Sequence, residues 1–87
     1  MDNIEIWILN KMCRRGYWGN RLINFDDLHN NKISRRDLEH HLRNLENLGY
    51  IQKKKGDKSS LYRYSLVPCQ KHIILHILEE VSLKNGH

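Results

Sequence analysis

The stretch SRRDLEHHLRNLENLGY, residues 34–50, leaves the chain few choices of fold. At the helical step of about 100° per residue, the leucines at 38, 42, 45 and 48 fall within an arc of roughly 120°. A stripe of that width predicts a helix lying with its leucine side against a core. Arg36, His40, Arg43 and Asn47 cluster on the opposite side, where they form a basic, hydrogen-bonding stripe. Ser34 with Asp37 three residues later is a variant of the capping box, whose usual partner is Glu or Gln. Gly49 can take the left-handed conformation that ends helices, so the predicted helix runs over residues 34–48.

The flanking segments supply less regular elements. Ile4, Trp7, Ile8 and Met12 recur at helical spacing until RRGYWGN breaks the pattern, which predicts a first helix over 3–14. RLINF reads as a short strand at 21–23, and FDDLHNN as a brief helix over 24–30, with Asn24 as its N-cap. After the leucine helix, YIQKKKGDKSSLYRYSL holds two strand-like runs around a Gly-Asp-Lys-Ser turn, a hairpin over 50–66. Pro68 ends it. Helical spacing resumes in CQKHIILHILEEVSLKN through Ile73, Ile74, Ile77, Leu78 and Val81, a last helix over 69–84. The expected class is α+β, mostly α, in one domain spanning 1–87.

Size and charge narrow the partners. A chain of 87 residues buries only about 60 to 65% of its unfolded surface, so pairing with a second chain would add useful stability. The formal charge is +5 and the pI about 9.4, which fits either an anionic partner or plain solubility. The excess is not spread evenly. Residues 34–63 hold eight Lys and Arg against four Asp and Glu, whereas 1–33 hold five against four and 64–87 two against two. Cys13 and Cys69 form no CxxC pattern, so neither a zinc finger nor a disulfide framework is indicated, and a reducing, cytoplasmic setting is expected. The start MDNIEIWILNK has acidic residues ahead of a short apolar run, unlike a signal peptide, and no apolar run is long enough to span a membrane.

A short helix, a tight turn, a second helix with an Arg/His/Asn face and a lysine-rich hairpin are an electrostatic footprint for nucleic acid. The stretch FDDLHNNKISRRDLEHHLRNLENLGYIQKKKGDKSSLYRYSL resembles the winged helix-turn-helix superfamily, in particular small prokaryotic and viral transcription regulators of the MarR, PadR and ArsR type. The matching features are the Leu-x-x-Leu-x-x-Leu-Gly-Tyr-Ile helix end, the basic wing and a Tyr-x-Leu closing strand, together covering about residues 21–66. The resemblance implies a three-helix core with a hairpin wing and an additional C-terminal helix. It also implies that the 34–48 helix enters the major groove of double-stranded DNA, where Arg bonds guanine and Asn bonds adenine in bidentate fashion.

On that reading Arg36 and Arg43 are the candidates for base edges, with Ser34, Arg35, His40 and Asn47 as their neighbours. Glu39 can orient an arginine or accept from cytosine. Lys53, Lys54, Lys55, Lys58 and Arg63 suit phosphates, supplying affinity without sequence information. The apolar residues of the last helix span more arc than one small core needs, and such regulators commonly dimerise through terminal helices. A homodimer through Ile73, Ile74, Ile77, Leu78 and Val81, with Trp7, is therefore expected. Cys69, His72 and His76, at i, i+3 and i+7, are a zinc-compatible donor set, but surface histidines beside a partly buried cysteine explain them more simply. No carboxylate pair, Gly-rich phosphate loop or Ser/His/Asp set stands out, so neither catalysis nor a cofactor is expected. The competing class is a winged helix that binds another protein, its lysines serving solubility.

Overall fold

The computed structural model describes residues 2–56 and 62–84. The chain is a small α+β protein, mostly helical, in which four helices pack with a three-stranded antiparallel sheet. In order the elements are α1 (Asn3–Arg14), β1 (Ile23–Asn24), α2 (Phe25–Leu28), α3 (Arg35–Asn47), β2 (Ile51–Lys55), β3 (Tyr62–Leu66) and α4 (Lys71–Lys84). A single 3-10 turn, Pro68–Gln70, leads into α4. No helix among the described residues is long and apolar enough to cross a membrane.

α1 starts where the Asp2 carboxylate accepts the Ile4 amide, satisfying one donor that the first turn leaves without a partner. It buries Glu5, Ile8, Leu9 and Met12, whereas Ile4 and Trp7 are only half-buried. The buried face is thus turned by about one position from the stripe at 4, 7, 8 and 12. The cause is chemical: Glu5 has polar partners on α3 waiting inside the fold, so the helix can turn a carboxylate inward.

α1 and α3 end in the same way. In each, the glycine amide bonds the carbonyl three residues back, Gly16 to Cys13 and Gly49 to Glu46. The following tyrosine amide bonds five back, Tyr17 to Met12 and Tyr50 to Leu45. These are Schellman closures, which require the glycine to sit at positive φ, here +74° and +86°. The reversal explains one departure from the leucine stripe. Leu38, Leu42 and Leu45 are buried, but Leu48 occupies the C-cap and is 55% exposed, while Tyr50 packs inward beyond the turn.

The β1–α2 region is shorter than the sequence pattern implies. β1 covers Ile23–Asn24 instead of 21–23 and pairs with the middle strand β3, Ile23 opposite Tyr64 and Asn24 opposite Arg63. α2 is one turn, Phe25–Leu28 instead of 24–30, and Asn24 stands at its N-cap without a side-chain bond. It stops because His29 is extended and the Asn30 side chain accepts the Lys32 amide, a turn that competes with further helix. The last helix starts later than expected, since 68–70 wind as the 3-10 turn.

One core joins the pieces. Ile8, Leu9 and Met12 of α1 meet Leu38, Leu42 and Leu45 of α3, Ile51, Tyr64 and Leu66 of the sheet, and Ile74 of α4. Behind the sheet, the Gly19 carbonyl accepts from Ser65 Oγ at 2.7 Å and from Gln52 Nε2 at 3.0 Å, so the buried Ser65 hydroxyl is satisfied.

Candidate nucleic-acid interface

α3 is oriented from its inner side. Glu5 is 5% exposed, and its Oε2 lies 2.8 Å from His41 Nδ1 and accepts from Asn44 Nδ2 at 3.2 Å. Burial alone pushes the Glu5 carboxyl upward, but the bonds from His41 and Asn44, the electrostatic attraction of His41 and the backbone at Asp2 outweigh it. The result is a carboxyl held below its ordinary range. The leucine pattern gives no sign of this bond. His41 and Asn44 belong to neither stripe of α3, and a carboxylate amid the apolar residues of α1 was the one available signal.

With the leucines and this bond facing in, Arg36, His40, Arg43 and Asn47 all lie exposed on the outer side. The Ser34 hydroxyl accepts the Asp37 amide at 3.1 Å, which fixes the start of the helix. Arg35 is committed elsewhere: it bonds Asp26 at 2.7 Å and lies over the Phe25 ring at 5.0 Å, clamping α2 to the first turn of α3. Glu39 sits 3.7 Å from Arg43 on the same helix, so it can hold that guanidinium in place. His40 Nε2 is 3.5 Å from Asn44 Nδ2, at the outer edge of hydrogen-bond reach.

The hairpin brings a second set of cations beside this face. In the β2–β3 register Lys53 opposes Tyr64, Lys54 opposes Arg63 and Lys55 opposes Tyr62. Side chains alternate across a strand, so Lys53, Lys55 and Tyr62 continue the inner face of Ile51 and Tyr64, while Lys54 and Arg63 point to the other side. Lys53 Nζ lies over the Tyr62 ring at 4.4 Å. Burial pushes the Tyr64 hydroxyl up to about 12, with the nearby charges of Glu39 and Glu46 adding to it. That tyrosine is therefore neutral and marks where α3 meets the hairpin. Lys54 and Arg63 are like charges placed directly opposite, an arrangement that costs stability in a hairpin unless an anion lies against it. Lys58 lies outside the described residues.

Compared with family models, with curated proteins and with solved structures, the chain matches none. Geometry alone defines the site.

The remaining candidates divide by burial. On α4, Ile74 is fully buried in the chain's own core and Leu78 packs against that core, so Ile74 has no surface to offer a second chain. Ile73 is 38% exposed, and Ile77 and Val81 are half-buried; at spacings of four they make one flank of the helix. Leu75, absent from the expected set, is exposed on the other flank. Trp7 is half-buried and packs against the core. Cys69, His72 and His76 are all exposed, His76 lies 3.3 Å from Glu80, and no metal-holding group of three such side chains forms among the described residues.

Proposed function

We propose that this chain is a sequence-specific, double-stranded DNA-binding regulator of transcription, built as a winged helix and acting in the cytoplasm as a homodimer. α3 is the recognition helix and the β2–β3 hairpin the wing. The observation that carries the reading is a hairpin whose Lys53 and Lys55 continue the sheet face that meets α3, next to the exposed Arg36, His40, Arg43 and Asn47 of that helix. Like charges gathered in this way repel one another in the isolated fold and are favourable against a row of phosphates. Arg36 and Arg43 read base edges, Arg43 aimed by Glu39; His40 and Asn47 flank them. Lys53, Lys54, Lys55 and Arg63 hold the backbone, and Arg35 positions the helix instead of touching bases. For assembly, the Ile73, Ile77 and Val81 flank of α4 supplies the apolar surface, since one recognition helix alone spans too few base pairs to discriminate well.

Selection of bound sequences from random duplexes tests the whole reading. The expected product is an inverted repeat whose halves lie about one helical turn apart. On it, Arg36→Ala and Arg43→Ala each cost about 1 to 3 kcal/mol and relax the preference at one position per half. Equal losses on unrelated duplexes would reassign both arginines to phosphates, and no enrichment would leave the protein-binding winged helix in its place.

A further inference from the structure

Trp7 lines two hollows beside α1. One, of about 490 Å³, is bounded by Trp7, Asn10, Lys11, Arg14 and Arg15. The other, of about 580 Å³, has Ile4, Trp7 and Ile33 as its apolar lining and Asn3, Asn30, Asn31 and Lys32 around them. Both volumes are in the range of small-molecule sites, about 300 to 1,000 Å³.

The first hollow is cationic without compensation. Among the described residues no carboxylate comes within 4.0 Å of Lys11, Arg14 or Arg15. Lys11 is held at its edge, donating to the Asp27 carbonyl at 3.0 Å with its ammonium 5.1 Å from the Trp7 ring centre. The helix dipole favours cations in a last turn, which accounts for Lys11 and Arg14 being basic. It does not require three cations to converge on one hollow next to a tryptophan. The second hollow offers a flat apolar surface edged by side-chain amides, each with a donor and an acceptor.

A ligand satisfying both hollows carries several negative charges at one end and a flat ring with hydrogen-bonding edges at the other. Arg14 lies about 10 Å along the helix from Trp7, so the ligand is also elongated. We propose that the two hollows form one site for a nucleoside phosphate. The phosphates sit on Lys11, Arg14 and Arg15, and the base lies against Trp7, Ile4 and Ile33 with the asparagine amides at its edge. Three cations suit a polyphosphate better than a single carboxylate. Residues 30–33 form the turn that delivers the chain to Ser34, so a bound nucleotide braces the start of α3. A free nucleotide and the phosphorylated end of a strand share this chemistry. The site shares no residue with the duplex-binding face, and the proposal does not depend on that face.

The test is a titration of the full chain with ATP, followed by backbone amide NMR shifts. Shifts at residues 4–15 and 30–33 are expected. Arg14→Ala and Arg15→Ala, both exposed and so compatible with folding, should each weaken ATP about tenfold, the usual scale for removal of a charged hydrogen bond. Adenosine and inorganic triphosphate, each filling one hollow, should bind at least about tenfold more weakly than ATP. Comparison of ATP with a 5′-phosphorylated dinucleotide decides between the two sources. Absence of shifts at millimolar ATP, shifts confined to Lys53–Lys55, affinity indifferent to both arginines, or inorganic triphosphate binding as tightly as ATP would each overturn the proposal.

Discussion

α3 and the hairpin after it face solvent side by side, yet their charge balances differ. The helix sets Arg35, Arg36 and Arg43 against Asp37, Glu39 and Glu46, a balance of zero. Residues 51–66 set Lys53, Lys54, Lys55, Lys58 and Arg63 against Asp57 alone. The basic excess of the middle of the chain is thus the hairpin's. A neutral helix draws little from long-range attraction, so its contribution must come from the pattern of donors and acceptors it presents to a partner at close range. The hairpin has the opposite endowment, strong attraction with little to discriminate by. Their anchoring differs as well: α3 is fixed by three buried leucines and the Glu5 bonds, whereas Lys53, Lys54, Lys55 and Tyr62 of the hairpin are exposed on strands held by their ladder.

The largest expected effect probes that anchoring. Leu42→Ala should cost about 2 to 5 kcal/mol in urea unfolding, because Leu42 is 1% exposed in the core. Leu48→Ala, on the same helix, should stay within about 0.5 kcal/mol. Similar costs for the two would mean that α3 is seated differently.

Next comes the inner polar cluster. Glu5→Ala leaves His41 and Asn44 without their acceptor and should cost about 1 to 3 kcal/mol. Its pH dependence has a definite sign. Because the folded carboxyl is held below its ordinary value, its stabilisation is complete above about pH 4.3 and is lost as pH falls through the folded value. Acid unfolding of Glu5→Gln should lack that component, and an identical acid limb in the two proteins would refute it.

At Lys54, stability and binding should move in opposite directions. Lys54→Glu replaces a like-charge pair with an opposite-charge pair across from Arg63 and should stabilise the free protein by about 0.2 to 1 kcal/mol. The same change should weaken duplex binding. A variant that is both more stable and unimpaired on DNA would take the hairpin out of the interface.

The leucine helix and its caps were legible because they depend on local chemistry. Ser34 accepts the Asp37 amide and Gly49 closes the helix just as their types predict. The two strand runs of the hairpin were legible as well, whereas the Gly-Asp-Lys-Ser turn expected between them falls, past Gly56, outside the described residues. Leu48 was not, because a helical wheel drawn past the C-cap assigns a direction the chain no longer follows. Nor was the rotation of α1: with Ile4, Ile6, Trp7, Ile8 and Leu9 apolar in near succession, periodicity alone cannot choose the face. A partner from α3 made the choice. The division of α4 into an inward Ile74 and an outward Ile73 likewise depends on where α1 packs, which no spacing within α4 specifies.

On the proposed function the hairpin supplies the phosphate-binding cations and the neutral helix does not. The direct measurement is duplex affinity against salt concentration for the native chain and for the Lys53→Ala, Lys54→Ala, Lys55→Ala triple variant. A steep native dependence is expected, flattened in the variant by about 0.9 in log–log slope for each phosphate no longer neutralised. An unchanged slope, or no duplex affinity even at low salt, would take the hairpin cations off the phosphates.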